Sequence, residues 1–108
     1  MIFIESKAFT RAGQALLSES QLLELQQRLL ENPSCGNLMP GTGGLRKLRI
    51  GLSTRGKGKR GGARVIYYHL AKRDHLHLLL LYAKAQREDL TPRQKKILRQ
   101  MIQEIESS

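Results

Sequence analysis

The sequence predicts a small α+β domain of order β-α-α-β-β-β-α, with an antiparallel sheet and helices packed on one face. Three observations carry this expectation. Two stretches with helical apolar spacing, each opened by a serine, follow a short apolar start. Three alternating or β-branched stretches then succeed one another with only loops and turns between them. A final stretch with helical spacing begins at a Thr-Pro pair. With 108 residues, 40% of them apolar, residues 1–108 have the size of one domain with a modest core.

The elements follow in order. Met1 to Ile4 is apolar and gives way to polar residues, as a short strand does. Ser6 to Leu17 places Phe9, Ala12 and Leu16 near helical spacing. Ser18 and Gln21 have capping-box spacing, and Leu22, Leu25 and Leu29 form a stripe behind them. Asn32-Pro33 ends that helix, because proline disfavours helical dihedrals in the residue before it. Residues 34–44 are a Gly/Pro loop. In the stretch 46–52, Arg46, Leu48, Ile50 and Leu52 point one way and Lys47 and Arg49 the other. Residues 63–70 are rich in β-branched and aromatic side chains and form the third strand. Residues 71–74 turn the chain into a fourth strand, 75–84, apolar enough to lie centrally. Thr91, Pro92 and Gln94 supply an N-cap, a first-turn proline and capping-box spacing for a helix carrying Ile97, Leu98, Met101, Ile102 and Ile105.

Charge is distributed unevenly along this chain. The net charge is +10. Residues 32–73 hold ten Lys/Arg and no acid, while the remainder carries equal numbers of each sign. A localised excess of this kind marks a polyanion partner, and nucleic acid fits it best. The excess is densest in "STRGKGKRGGAR", where Arg55, Lys57, Lys59, Arg60 and Arg64 alternate with glycines. This stretch forms the tip of the hairpin joining the second and third strands. Its length exceeds what a turn needs, and its glycines let the backbone approach phosphates.

Other chemistries are excluded or left open. Gly51 to Lys57 has the glycine spacing of a nucleotide-binding P-loop, but Gly58 stands where Ser or Thr must hold magnesium. His75 and His77 share a strand face without enough neighbouring ligands for a metal, and they lie at the strand end remote from Arg64. Tyr67, Tyr68 and Tyr82 suit either base stacking or packing within the sheet. The single Cys35 forbids an internal disulfide and fits a reducing, cytoplasmic setting. "MIFIES" is too short for a signal peptide, and the apolar run Leu76 to Ala83 is too short to span a membrane.

Three blocks, "GTGGLRKLRI", "GKGKRGGARVIYYHL" and "LLLLYAKAQREDLTPRQ", resemble the HigB branch of the RelE-like toxins of bacterial type II toxin–antitoxin systems. The resemblance implies an endonuclease that cuts mRNA in the ribosomal A site without a metal or other cofactor, and so inhibits translation. It implies as partners the ribosome, its mRNA and a cognate antitoxin, often a helix-turn-helix DNA-binding protein, with a monomeric free toxin. By the same resemblance, Arg64 stabilises the phosphate, Lys57 or Lys59 acts as base, and Arg60, Lys84 and Tyr82 complete the catalytic set. Arg46, Lys47, Arg49 and Arg55 are then RNA- and ribosome-binding. The founding RelE toxins have paired lysines in the second strand, where this chain reads Lys47-Leu48-Arg49. They also place a tyrosine after the last strand, and residues 85–100 here contain none. The alternative within the superfamily is a ParE-like inhibitor that acts by binding DNA gyrase.

The confined positive charge predicts steeply salt-dependent ribosome binding. If about five phosphates are neutralised, log K falls against log[salt] with a slope of roughly −3.5 to −4.5. Binding titrations across a salt series measure it, and a slope near zero excludes phosphate contacts as the main attraction.

Overall fold

The computed structural model describes residues 1–52, 62–86 and 89–108. Strand β1 (Ile2–Glu5) leads into helix α1 (Lys7–Leu16), whose N-cap Ser6 accepts a hydrogen bond from the Phe9 N–H. Helix α2 (Glu19–Glu31) begins at the Ser18/Gln21 capping box and stops at Asn32. Strands β2 (Asn37–Leu38), β3 (Arg46–Ile50), β4 (Ala63–Leu70) and β5 (His75–Ala83) follow. A 3₁₀ turn, Ala71–Arg73, joins β4 to β5. Helix α3 (Pro92–Ser107) opens on the Thr91/Gln94 capping box with proline in its first turn.

The sheet order is β1-β5-β4-β3-β2. The α+β architecture and the order of the predicted elements are present, with three additions to the sequence reading. The Gly/Pro loop contains β2, a two-residue strand too short to leave a periodic signal. The sheet is antiparallel except at its edge, where β1 runs parallel to β5. That pairing is fixed at both ends: the Ile2 N–H donates to the Asp74 carbonyl at 3.1 Å, and the Ser6 N–H donates to the Leu78 carbonyl at 2.9 Å. The terminal ammonium adds an ion pair to the Asp74 carboxylate at 3.3 Å.

The third difference concerns the helices, which cover both faces of the sheet and not one. Phe9 of α1 and Leu25 and Leu29 of α2 pack with Leu48, Val65, Tyr67 and Leu78. Leu98 and Ile102 of α3 pack on the opposite layer with Leu45, Ile66, Leu79 and Tyr82. The reason lies in β4 and β5, where alternate residues on both sides are apolar, so either face left bare would expose a strip of core. A register shift between Ile66 and Tyr67 pairs Ile66 with Leu80 and Tyr67 with Leu78. Leu79 is thereby left without a cross-strand partner and joins the α3 layer.

One buried tyrosine locks the loop before β3 onto the sheet. The Tyr67 hydroxyl accepts from the Gly36 N–H at 2.9 Å and donates to the Pro33 carbonyl at 2.7 Å. Gly36 is required here, since a Cβ would sit 2.8 Å from the Tyr67 ring. Burial is the main cause that pushes the Tyr67 hydroxyl up from 10.0 to about 12. Tyr67→Phe leaves a buried N–H unsatisfied and is expected to cost about 1–3 kcal/mol in urea unfolding. Because the folded value lies above the unfolded one, the hydroxyl's contribution is complete below pH 10 and is lost as pH rises towards 12. The wild-type urea midpoint should therefore fall across that window, and Tyr67→Phe should lose less there.

Candidate functional site

On the sheet face shared with α3, one cross-strand row collects three of the residues singled out by sequence. Arg64 in β4 lies directly between Arg49 in β3 and Tyr82 in β5. Strand spacing sets the width of this row at roughly 10 Å. Arg64 is half-buried, and its guanidinium donates to the Ala63 carbonyl at 3.3 Å. Tyr82 is 5% exposed and belongs to the α3 layer of the core. Two like charges directly opposite in an antiparallel pair oppose folding. Arg49 and Arg64 are thus two guanidinium-bearing residues directly opposite each other on adjacent strands.

The backbone beneath this row is firmly held. Gly62 has φ +62, and a Cβ there would lie 2.1 Å from the Ile50 carbonyl oxygen. Only glycine fits that close approach at the base of the hairpin. The Lys84 N–H donates to the Gly62 carbonyl at 3.0 Å, which brings Lys84 beside the same base. Arg64 is thus paired on both sides, as a residue inside a central strand must be. The outer edge of β3 is open beyond its short pairing with β2, and there the Arg28 guanidinium of α2 donates to the Arg49 carbonyl at 3.3 Å.

Lys47 lies one same-face step along β3 from Arg49 and is opposite Ile66. Its ammonium is 3.9 Å from the Asp89 carboxylate, which also meets Lys95 of α3 at 3.8 Å. Asp89 is held below the usual carboxylate range, first by the hydrogen bond from the Leu90 N–H and then by the charges of Lys47 and Lys95. The carboxylate thus joins the β3 cations to the start of α3. Sequence reading missed it, because a lone acid beside Glu88 looks like ordinary loop chemistry.

Arg46 occupies the other face of β3. Its guanidinium donates to the Gly36 carbonyl at 2.8 Å and the Ser34 carbonyl at 3.3 Å, so it braces the same loop as Tyr67. The Tyr68 hydroxyl donates to the Glu106 carboxylate of α3. Burial, followed by that carboxylate, pushes Tyr68 up to about 12. Two of the three tyrosines are thus engaged in tertiary contacts away from the row. His77 pairs across from Tyr68, five strand positions from Tyr82, which places it about 17 Å from the row and His75 about 24 Å away. Their rings meet edge-on at 6.4 Å, and burial followed by the charge of His75 holds His77 below its usual value. Among the described residues, no group of three His, Cys, Asp or Glu could hold a metal, and no helix is long and apolar enough to cross a membrane. Arg55, Lys57, Lys59 and Arg60 lie outside the described residues.

The whole sequence, residues 1–108, matches the family described as the RelE toxin of the RelE/RelB toxin-antitoxin system. The chain belongs to the RelE toxin family. Solved RelE structures share its fold. An arginine-to-alanine double mutant of E. coli toxin RelE in the free state aligns with TM-score 0.56 and 14% identity, covering 81% of this chain and 86% of that one. The intact E. coli RelBE toxin-antitoxin complex gives TM-score 0.59 and 15% identity over 76% and 94% of the two chains. The archaeal RelE-RelB complex from Pyrococcus horikoshii OT3 gives 0.53 and 22% over 80% and 97%. The row sits where the hairpin base and the last strand meet, with Arg49 on β3 and Lys84 just past the end of β5.

The Asp89 carboxylate thus stands between Lys47 and Lys95. Asp89→Asn removes the acid facing Lys47 and Lys95 and should tighten binding to single-stranded RNA several-fold at low salt, with the gain fading as salt screens it. The exposed pairs it breaks contribute at most about 1 kcal/mol to folding. Filter binding with a parallel thermal melt checks both, and unchanged affinity would mean that Lys47 is not part of the RNA surface.

Proposed function

We propose that this RelE-family toxin is a metal-independent endoribonuclease that cuts mRNA in the ribosomal A site and so blocks translation. A cognate antitoxin, of the helix-turn-helix DNA-binding kind, holds it inactive. The observation that carries this reading is the row Arg49–Arg64–Tyr82, with Lys47 and Lys84 at its margins. It offers an anionic group two guanidiniums on a rigid sheet, where a plain binding surface would manage with mobile lysines. The RelE–RelB complexes among its structural relatives support the antitoxin partner.

The chemistry needs no more than these residue types. A base takes the proton of a 2′-OH, and the freed oxygen attacks the adjacent phosphorus in line. The P–O5′ bond breaks, and an acid protonates the departing 5′-oxygen. Negative charge grows on the non-bridging oxygens, where Arg64 and Arg49 stand ready. Lys57 or Lys59 acts as base, since crowded cations favour a neutral amine. Arg60 adds positive charge, Arg55 contributes to ribosome binding, and Tyr82 and Lys84 complete the catalytic set. The ribosome supplies the orientation of the substrate, which accounts for a site built without histidine.

Arg64→Ala is expected to lower single-turnover cleavage on programmed ribosomes about 100-fold or more, by analogy with loss of one oxyanion donor. Ribosome affinity should change little, because the other cations remain, and Arg64→Lys should restore only part of the rate. Near-wild-type cleavage by Arg64→Ala would remove Arg64 from the site. Intact message together with blocked DNA supercoiling by the wild type would favour the gyrase-binding alternative.

A further inference from the structure

Helix α3 carries its charge backwards. Arg93, Lys95, Lys96 and Arg99 crowd its first two turns, while Glu104 and Glu106 lie near its end. The first turn holds no acid and the last turn no base. Each such placement runs against the helix dipole, which favours acids at the start and bases at the end. A sequence that departs from a local rule at one place and in one direction points to a use for that surface.

The four cations also share a side. At about 100° per residue they fall within an arc of roughly 160°. Pro92, Gln100 and Gln103 complete that arc, so that through Gln103 it bears no acid and no large apolar side chain. Leu98 and Ile102 face the core instead. Arg93, Lys96 and Arg99 are exposed. From Arg93 to Arg99 the ridge rises about 9 Å along the helix.

Contacts at the flank fix where this ridge lies. Lys95 meets Asp89 at 3.8 Å, and the same carboxylate meets Lys47 of β3 at 3.9 Å. Arg99 donates to the Gly41 carbonyl at 3.3 Å, in the loop leading to β3. The Lys95–Arg99 flank of α3 therefore adjoins β3 and the loop before it, and Arg93 and Lys96 continue the cationic side outward from that flank, exposed.

We infer that the cationic ridge of α3, Arg93-Lys95-Lys96-Arg99, is a second RNA-backbone contact that grips ribosomal RNA phosphates while the β3–β4–β5 row engages the message. The inference rests on the ribosomal reading above. RNA fits better than an acidic protein, because protein interfaces are built around aromatic or aliphatic anchors and this arc has none. Glutamines interspersed with Lys and Arg are ordinary phosphate ligands. The ridge positions the toxin and takes no part in bond cleavage.

The test is the double variant R93Q/K96Q, which leaves the partners of Asp89 and Gly41 in place. Binding is measured across a salt series on programmed ribosomes and on a ribosomal RNA duplex, with K7Q/R11Q on α1 as a charge-matched control. Losing two phosphate contacts should flatten the log–log salt slope by roughly 1.4 to 1.8 for R93Q/K96Q and leave the control at the wild-type slope. The variant R93K/K96R should retain the slope. A wild-type slope in R93Q/K96Q overturns the inference while leaving the cleavage reading intact. Uncut message with a flattened variant slope does the reverse. Loss of antitoxin capture with a wild-type ribosome slope would assign the ridge to the protein partner and also overturn the inference.

Discussion

Strand β4 is the constraint on which the rest of the molecule depends. It pairs along its length with β5 on one side and from Ala63 to Tyr67 with β3 on the other, and most of its side chains are buried on both faces. A strand in that position cannot shift register without turning both cores inside out. Its two faces demand two layers of helix, which is why α1 and α2 cover one and α3 the other. Its first residues emerge from the hairpin at Gly62, so whatever stands at Arg64 inherits the stiffness of the whole sheet. The candidate site is accordingly placed at the end of the most constrained element.

That placement has an electrostatic cost. Arg49 and Arg64 face each other across a strand pair, and within the described residues the row's surroundings are predominantly cationic. Two other acids hold the fold. Asp74 ties the chain terminus and His69 to the β4–β5 turn, and Glu106 binds Tyr68 and Lys72. Asp89 stands against the basic face, between Lys47 and Lys95. A surface arranged like this trades some folding stability for readiness to bind an anion, a balance expected where binding and chemistry share one site.

The tyrosines show how one residue type divides its work by position. Tyr67 is turned into the α1–α2 core, and its hydroxyl fastens the loop before β3. Tyr68, the next residue, points the other way and anchors the end of α3. Tyr82 stands in the row beside Arg64. Sequence alone left stacking and packing open for all three. Only the sheet's pleat and the bulge between Ile66 and Tyr67 decide which hydroxyl meets which layer.

The sequence by itself determined whatever depends on near neighbours. Caps at Ser6, Ser18 and Thr91, helical stripes such as Leu22-Leu25-Leu29, and the strand periods of 46–52 and 63–70 are local facts, set by spacings of two to four residues. The opposite facing of Arg46 and Lys47 was legible for the same reason, as was the family through its three basic and apolar blocks. Tertiary structure decided what depends on distant partners. The parallel edge made by β1, the third helix on the second face, and the meeting of Lys47, Asp89 and Lys95 arise from burial and pairing between segments far apart in the chain. Local periodicity tells a strand which of its residues share a face. It does not tell that face which helix will cover it, because that choice is made by the apolar surface the whole chain must hide.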